Sequence, residues 1–133
     1  MSPPTDPLPL AMLLMAEESI TPHEAGCYGL LCGWLEPLGF EITETAFDPG
    51  SACFYARRGT QGPNLCFSGH VDVVPPGDGA QWRTPPFTPE IHDGVLYGRG
   101  AEDMKGAIAC MVAAVSRFLQ RYPVYNGSLS FLI

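Results

Sequence analysis

The sequence predicts an α/β layer architecture, and three observations carry that expectation. Helix-patterned segments open the chain, the apolar period switches from helical to alternating after Gly39, and a long amphipathic helix leads back into a strand at its end. With 133 residues, 46% of them hydrophobic and 16% charged, the chain is one domain's worth and can bury a core.

The first helix is expected over Asp6 to Glu18, where Leu10, Leu13 and Leu14 stand at helical spacing. The second is expected to start at Thr21-Pro22-His23-Glu24, which has the form of a capping box with proline at the first helical position. Leu30, Leu31, Trp34, Leu35 and Leu38 continue it, and Gly39 supplies a left-handed stop. Phe40–Thr43 and Cys53–Ala56 then read as strands separated by a turn at Asp48-Pro49-Gly50. After a second turn over Gly59–Pro63, Asn64 to His70 reads as a third strand, apolar enough on both faces for a central, covered position.

From Pro75 to about Asp93 the chain carries five prolines and no sustained period, which predicts a stiff and functional loop. Val95-Leu96-Tyr97 reads as a short strand. Lys105 to Tyr122 is the clearest helix, with Ile108, Met111, Val112, Val115, Phe118, Leu119 and Tyr122 on one face. Asn126-Gly127 is a turn, and Leu129 to Ile133 enters a strand that is expected to leave an exposed edge.

Fourteen acidic residues against seven Lys and Arg give a net charge of −7, and the basic residues form no run. Neither a phosphate backbone nor an anionic membrane surface attracts such a chain, so nucleic-acid and membrane partners are excluded as expectations. The apolar stretch around Ala107 to Val115 is too short to cross a bilayer, and the Pro-rich Ser2–Pro9 is no charged-then-apolar leader. Five cysteines, an odd number without metal-finger spacing, predict reduced thiols in a cytosolic protein, with Cys53, Cys66 and Cys110 acting as small hydrophobes.

Two stretches carry chemistry. In His70-Val71-Asp72, period-two geometry puts residues 70 and 72 on one side at the end of a strand, where open α/β sheets bind ligands. A metal-binding histidine needs a partner on its other ring nitrogen, and Asp72 stands where it can supply one. Alone, the triplet equally fits a strand-end histidine bonded to nearby backbone. In Gly98-Arg99-Gly100-Ala101-Glu102-Asp103-Met104-Lys105-Gly106, Asp103 stands at the mouth of the long helix. The plain reading is a helix N-cap, contributing about 1 kcal/mol. The alternative is a carboxylate that bridges two metal ions through its two oxygens.

Taken together, Ser68-Gly-His-Val-Asp-Val-Val-Pro-Pro-Gly-Asp78, Trp82, Pro85-Pro-Phe87 and Asp93-Gly-Val-Leu-Tyr-Gly-Arg-Gly-Ala-Glu-Asp-Met-Lys-Gly106 closely resemble the zinc aminoacylase and carboxypeptidase family. Within that family they are most similar to its succinyl-diaminopimelate desuccinylase branch. Thr21-Pro22, Leu38-Gly39-Phe40 and Tyr55–Gly59 agree with it, so the resemblance spans the chain from Asp6 onward.

The resemblance implies a partial mixed sheet flanked by helices, the N-terminal part of a di-zinc aminopeptidase-like catalytic domain over residues 1–133. It implies His70 as ligand to one metal, Asp103 as the bridge between two, and Asp72 as the catalytic helper carboxylate near His70. Two zinc ions, in some members cobalt, would serve the hydrolysis of N-succinyl-LL-2,6-diaminopimelate to succinate and LL-2,6-diaminopimelate, a step toward lysine. The general-base Glu, further metal ligands, the lid and its homodimer contacts are implied downstream of the strand at Ser128–Ile133. The chain is therefore expected to be inactive alone. Other N-acyl amino acids such as acetylornithine, small peptides, and a non-catalytic fragment remain as alternatives.

The remaining residues have plainer expectations. His23, His92 and Lys105 read as solvated side chains, and Arg99 as a clamp on loop carbonyls. Trp82 and Phe87 read as packing that holds the long loop to the body.

Overall fold

A computed structural model of the chain describes residues 4–48 and 50–133. Residues 2 and 3 of the Pro-rich opening, and Pro49 of the expected turn, lie outside them. Four strands form one mixed sheet in the order β1-β2-β6-β3, and β4 and β5 make a separate hairpin. The helices are α1 (Pro7–Ala16), α2 (Cys27–Leu35) and α3 (Gly106–Arg121). The strands of the sheet are β1 (Glu41–Asp48), β2 (Ser51–Arg58), β3 (Asn64–Ser68) and β6 (Ser128–Leu132). The expected α/β architecture, a mixed sheet flanked by helices, is what forms.

β6 pairs antiparallel with β2 and parallel with β3, and the residues of its two faces alternate. Leu129, Phe131 and Ile133 share a face with Phe54 and Ala56, and on it Leu14, Leu31, Leu35, Ile108 and Val112 of the three helices complete one core. Phe131 is fully buried, edge-to-face with Phe40 at 5.7 Å and stacked with Phe67 at 5.2 Å. The opposite face is polar and internally paired. The Asn64 amide donates to the Ser130 hydroxyl and accepts from that of Ser128, both at 2.9 Å.

Several expectations need correction. The third strand, expected to be central and covered, is an edge of the sheet with Leu65 57% exposed, because only β6 pairs with it. The last strand, expected to leave an open edge, lies between β2 and β3 and is buried over Ser128–Phe131. The second helix begins at Cys27, not at the Thr21 capping box. Residues 20 and 21 are committed elsewhere: Ile20 bridges Val73, and the Thr21 amide donates to the Val73 carbonyl at 3.0 Å. Glu24 still serves the helix start by accepting the Tyr28 amide at 2.9 Å.

Gly39 ends that region in the left-handed conformation, as its position predicts. The long loop is more ordered than its composition suggests. It holds a short 3-10 turn, Gly79–Gln81, and its last part forms β4 (Glu90–His92), paired antiparallel with the expected β5 (Val95–Tyr97). The two residues between them, Asp93 and Gly94, both have positive φ, at 52° and 78°, the signature of a tight two-residue hairpin. Of the three cysteines expected in apolar surroundings, Cys66 and Cys110 are exposed and Cys53 is half-buried, whereas Cys27, outside that expectation, is buried.

Candidate metal centre

The site is assembled at the carboxyl end of the parallel pair β3–β6. β3 ends at Ser68, and residues 71–73 then run beside 19–21. The Ser19 hydroxyl donates to the Val71 carbonyl at 2.7 Å, and the Val73 amide donates to the Ser19 carbonyl at 2.8 Å. Val71 and Val73 turn inward, each 3% exposed. His70 and Asp72 therefore point outward together, as the period of an extended segment requires. Ser19, to which the sequence assigned nothing, is fully buried and holds this register.

Asp103 arrives from a different stretch. A wide, irregular turn, Ala101–Lys105, leads into α3, and Asp103 has extended backbone angles inside it. It is no N-cap, because its side chain bonds no helix amide and reaches outward instead. The turn can close this tightly because Gly106 has no Cβ; one built there would collide with the Ala101 carbonyl. Lys105 anchors the inner side of the turn. Contrary to its expected solvation it is fully buried, and its Nζ donates to the carbonyls of Leu14 at 2.7 Å and Glu17 at 2.8 Å. Those carbonyls stand at the C-terminal end of α1, where a cation is welcome. Burial pushes the Lys105 ammonium below the usual lysine range, against the opposing pull of Cys27 and Glu17.

The result brings His70 and Asp103 together. His70 Nε2 lies 3.0 Å from Asp103 Oδ1. On the other side of the ring, Nδ1 lies 2.9 Å from the Asp72 backbone carbonyl and 3.4 Å from its carboxylate. A carbonyl only accepts, so Nδ1 carries a proton, and the 3.0 Å contact on the other side is a hydrogen bond when a second proton on Nε2 makes His70 an imidazolium that donates to Asp103. The Asp72 carboxylate is itself held by the Thr21 hydroxyl at 2.6 Å. Burial alone would lower the affinity of His70 for its second proton. The Asp72 carbonyl and the Asp103 and Asp72 carboxylates outweigh it, and the imidazole is held above its ordinary value.

This pair fits a divalent cation in part. Imidazole nitrogen and carboxylate oxygen are ordinary zinc donors, and two atoms each about 2.0–2.1 Å from one tetrahedral ion sit about 3.3 Å apart, slightly wider than the observed pair. The proton that would join Nε2 to Oδ1 occupies the place such an ion takes. Three or four ligands are needed for tight binding. Among the described residues no group of three His, Cys, Asp or Glu side chains converges to supply them. His23 and His92 stand apart from the pair, and His92 bonds Glu90 at 3.0 Å.

Arg99 follows β5 and packs its guanidinium 5.0 Å from the centre of the Trp82 ring. Trp82 in turn donates its ring N–H to the Pro76 carbonyl at 2.9 Å, tying the long loop down as its sequence suggests. The clamp expected of Arg99 is not made through its Nε, which is buried without an acceptor. Among the described residues no helix is long and apolar enough to cross a membrane.

Comparison with known proteins agrees with this architecture. A model of Peptidase family M20/M25/M40 matches residues 66–133, which include both chemical stretches. Human carnosine dipeptidase 1 superimposes with a TM-score of 0.81 at 26% identity, over 96% of this chain and 31% of its own. An M20 family metallo-carboxypeptidase from Sulfolobus solfataricus gives 0.81 at 23% identity, over 96% and 30%. A tripeptidase from Staphylococcus aureus gives 0.74 at 20%, over 98% and 36%, and these last two bear on the fold alone. The chain spans about a third of the length of these proteins.

Proposed function

This chain belongs to peptidase family M20/M25/M40, whose members are hydrolases of amide bonds, and from that premise we propose that it forms the N-terminal part of the catalytic domain of a metal-dependent amidohydrolase. The observation that carries the reading is the 3.0 Å approach of His70 Nε2 to Asp103 Oδ1, with Nδ1 already committed to the Asp72 carbonyl. His70 would ligate one ion, Asp103 would bridge two, and Asp72 would hold the ring of His70 and the Thr21 hydroxyl in place. The chemistry that two bound divalent ions, zinc or cobalt, supply in such a site is activation of water and polarisation of the scissile carbonyl.

The substrate proposed is N-succinyl-LL-2,6-diaminopimelate, cleaved to succinate and LL-2,6-diaminopimelate. Its support is the resemblance of Pro75-Pro76-Gly77-Asp78 and of Gly98–Gly106 to the desuccinylase branch. The complete enzyme would act on this small molecule as a homodimer. The five unpaired cysteines favour a reducing, cytoplasmic setting. Residues 1–133 alone are expected to be inactive, since two converging ligands fall short of a metal site.

Turnover of a substrate panel by the complete enzyme tests the reading. Succinyl-diaminopimelate is expected to exceed acetylornithine, acetylated amino acids and dipeptides by at least about tenfold in kcat/KM, a difference of about 1.4 kcal/mol in transition-state binding. A dipeptide as best substrate would replace the substrate while keeping the site. A His70→Ala enzyme with ordinary turnover would remove the site itself.

A further inference from the structure

We propose that Arg99 is a carboxylate-binding arm of the cleft beside His70 and Asp103. Arg99 lines a cleft of about 110 Å³ together with Thr21, His70, Asp72, Val74 and Asp103. Its lining carries two carboxylates, Asp72 and Asp103, and this one guanidinium. The chain has fourteen acidic residues, yet among the described residues none lies within ion-pairing distance of Arg99. Its Nε is shielded from water and has no acceptor. An N–H in that condition costs about 1–3 kcal/mol, and charged groups cost more. Ordinary surface arginines avoid this by staying solvated.

The surroundings hold the guanidinium in place instead of neutralising it. The ring of Trp82 stacks against it, and Trp82 is fixed through Pro76. The Arg99 backbone is fixed as well, its amide donating to the Pro86 carbonyl at 2.7 Å. A preoriented guanidinium loses little side-chain freedom when it meets a planar anion, and its fork matches a carboxylate. The ligand class is thus a carboxylate-bearing small molecule that enters next to His70, with Arg99 taking the carboxylate while the bond to be cleaved lies toward Asp103. The assignment rests on the proposed function in placing the reacting bond, but binding of the carboxylate does not require the metal.

The test is an NMR titration of the metal-free chain, watching the Arg99 Nε–H and the Trp82 indole N–H. Succinate is the probe, with its neutral analogue succinamide beside it. Succinate is expected to shift both signals saturably and succinamide to leave them unmoved. Arg99→Gln should weaken succinate binding at least about tenfold, and Arg99→Lys should retain part of it. The buried Trp34 indole signal, unchanged in each variant, certifies the fold. No saturable response, an equal response to succinamide, or full binding by Arg99→Gln would overturn the assignment. Turnover of the complete enzyme separates the two readings: ordinary turnover by its His70→Ala variant, beside an intact succinate response of the chain, removes the metal centre and leaves Arg99 as assigned.

Discussion

Asp103 and Lys105 lie two residues apart in one turn and meet opposite environments. The Asp103 side chain is 83% exposed and has His70 as its partner, whereas Lys105 is wholly enclosed and bonded to two carbonyls of the α1 terminus. The inner charge fixes the turn and the outer charge is left to be used. The proposed function sits where the partner list is short, and stability sits where it is full. The contrast predicts that substitutions on the two sides of the turn act on different observables.

The largest loss of stability is expected in the shared core behind the inner side. Phe131→Ala removes a fully buried ring with two aromatic neighbours and should cost about 4 kcal/mol in urea unfolding. A loss below about 1 kcal/mol would mean that β6 is not the interior strand. Lys105→Ala is next, at about 3 kcal/mol, from two lost charge-assisted bonds and a cavity. A thermal melt unchanged by that substitution would erase the distinction between the two sides.

Tyr28 sharpens the comparison through pH. Its single hydroxyl proton is shared between the carbonyl oxygens of Ala52 at 2.9 Å and Ile133 at 3.2 Å, and burial, helped by nearby acidic groups, pushes its pKa up to about 12. The folded state thus prefers the neutral phenol. Its contribution is fully present below the unfolded value of about 10 and is lost as pH rises from there through about 12. Tyr28→Phe should cost about 1 kcal/mol at neutral pH and flatten the alkaline fall in melting temperature. An alkaline limb of the same steepness in the variant would assign that fall to other groups. The smallest effect on stability is expected at the outer side: Asp103→Asn should change the unfolding free energy by no more than about 0.5 kcal/mol. A larger change would make Asp103 a structural residue.

What the sequence made legible follows the same division. α3, β5 and the stop at Gly39 are local patterns, and local patterns suffice to find them. His70 and Asp103 stand out as candidates because each lies in a dense, recognisable stretch, and the fold brings the two side chains within 3.0 Å of each other. Lys105 was not, since its acceptors lie 91 and 88 residues away and nothing near position 105 signals them. The start of α2 was misplaced for a related reason: Thr21 has a good local role as a cap, and a bridge to Val73 across the chain overrides it. The apolar run of β3 gave composition but no neighbours, so an edge strand read as a central one. The unpartnered Nε of Arg99 had no sequence signal beyond the two glycines beside it.

The most direct measurement is a zinc titration of the chain, followed at the ring nitrogens of its three histidines and repeated with Asp103→Asn. The account predicts that His70 responds at Nε2 while Nδ1 keeps its proton, and that the substitution weakens binding at least about tenfold, or about 1.4 kcal/mol. Zinc that shifts His23 or His92 and leaves His70 unmoved, or that binds Asp103→Asn as tightly, would contradict it.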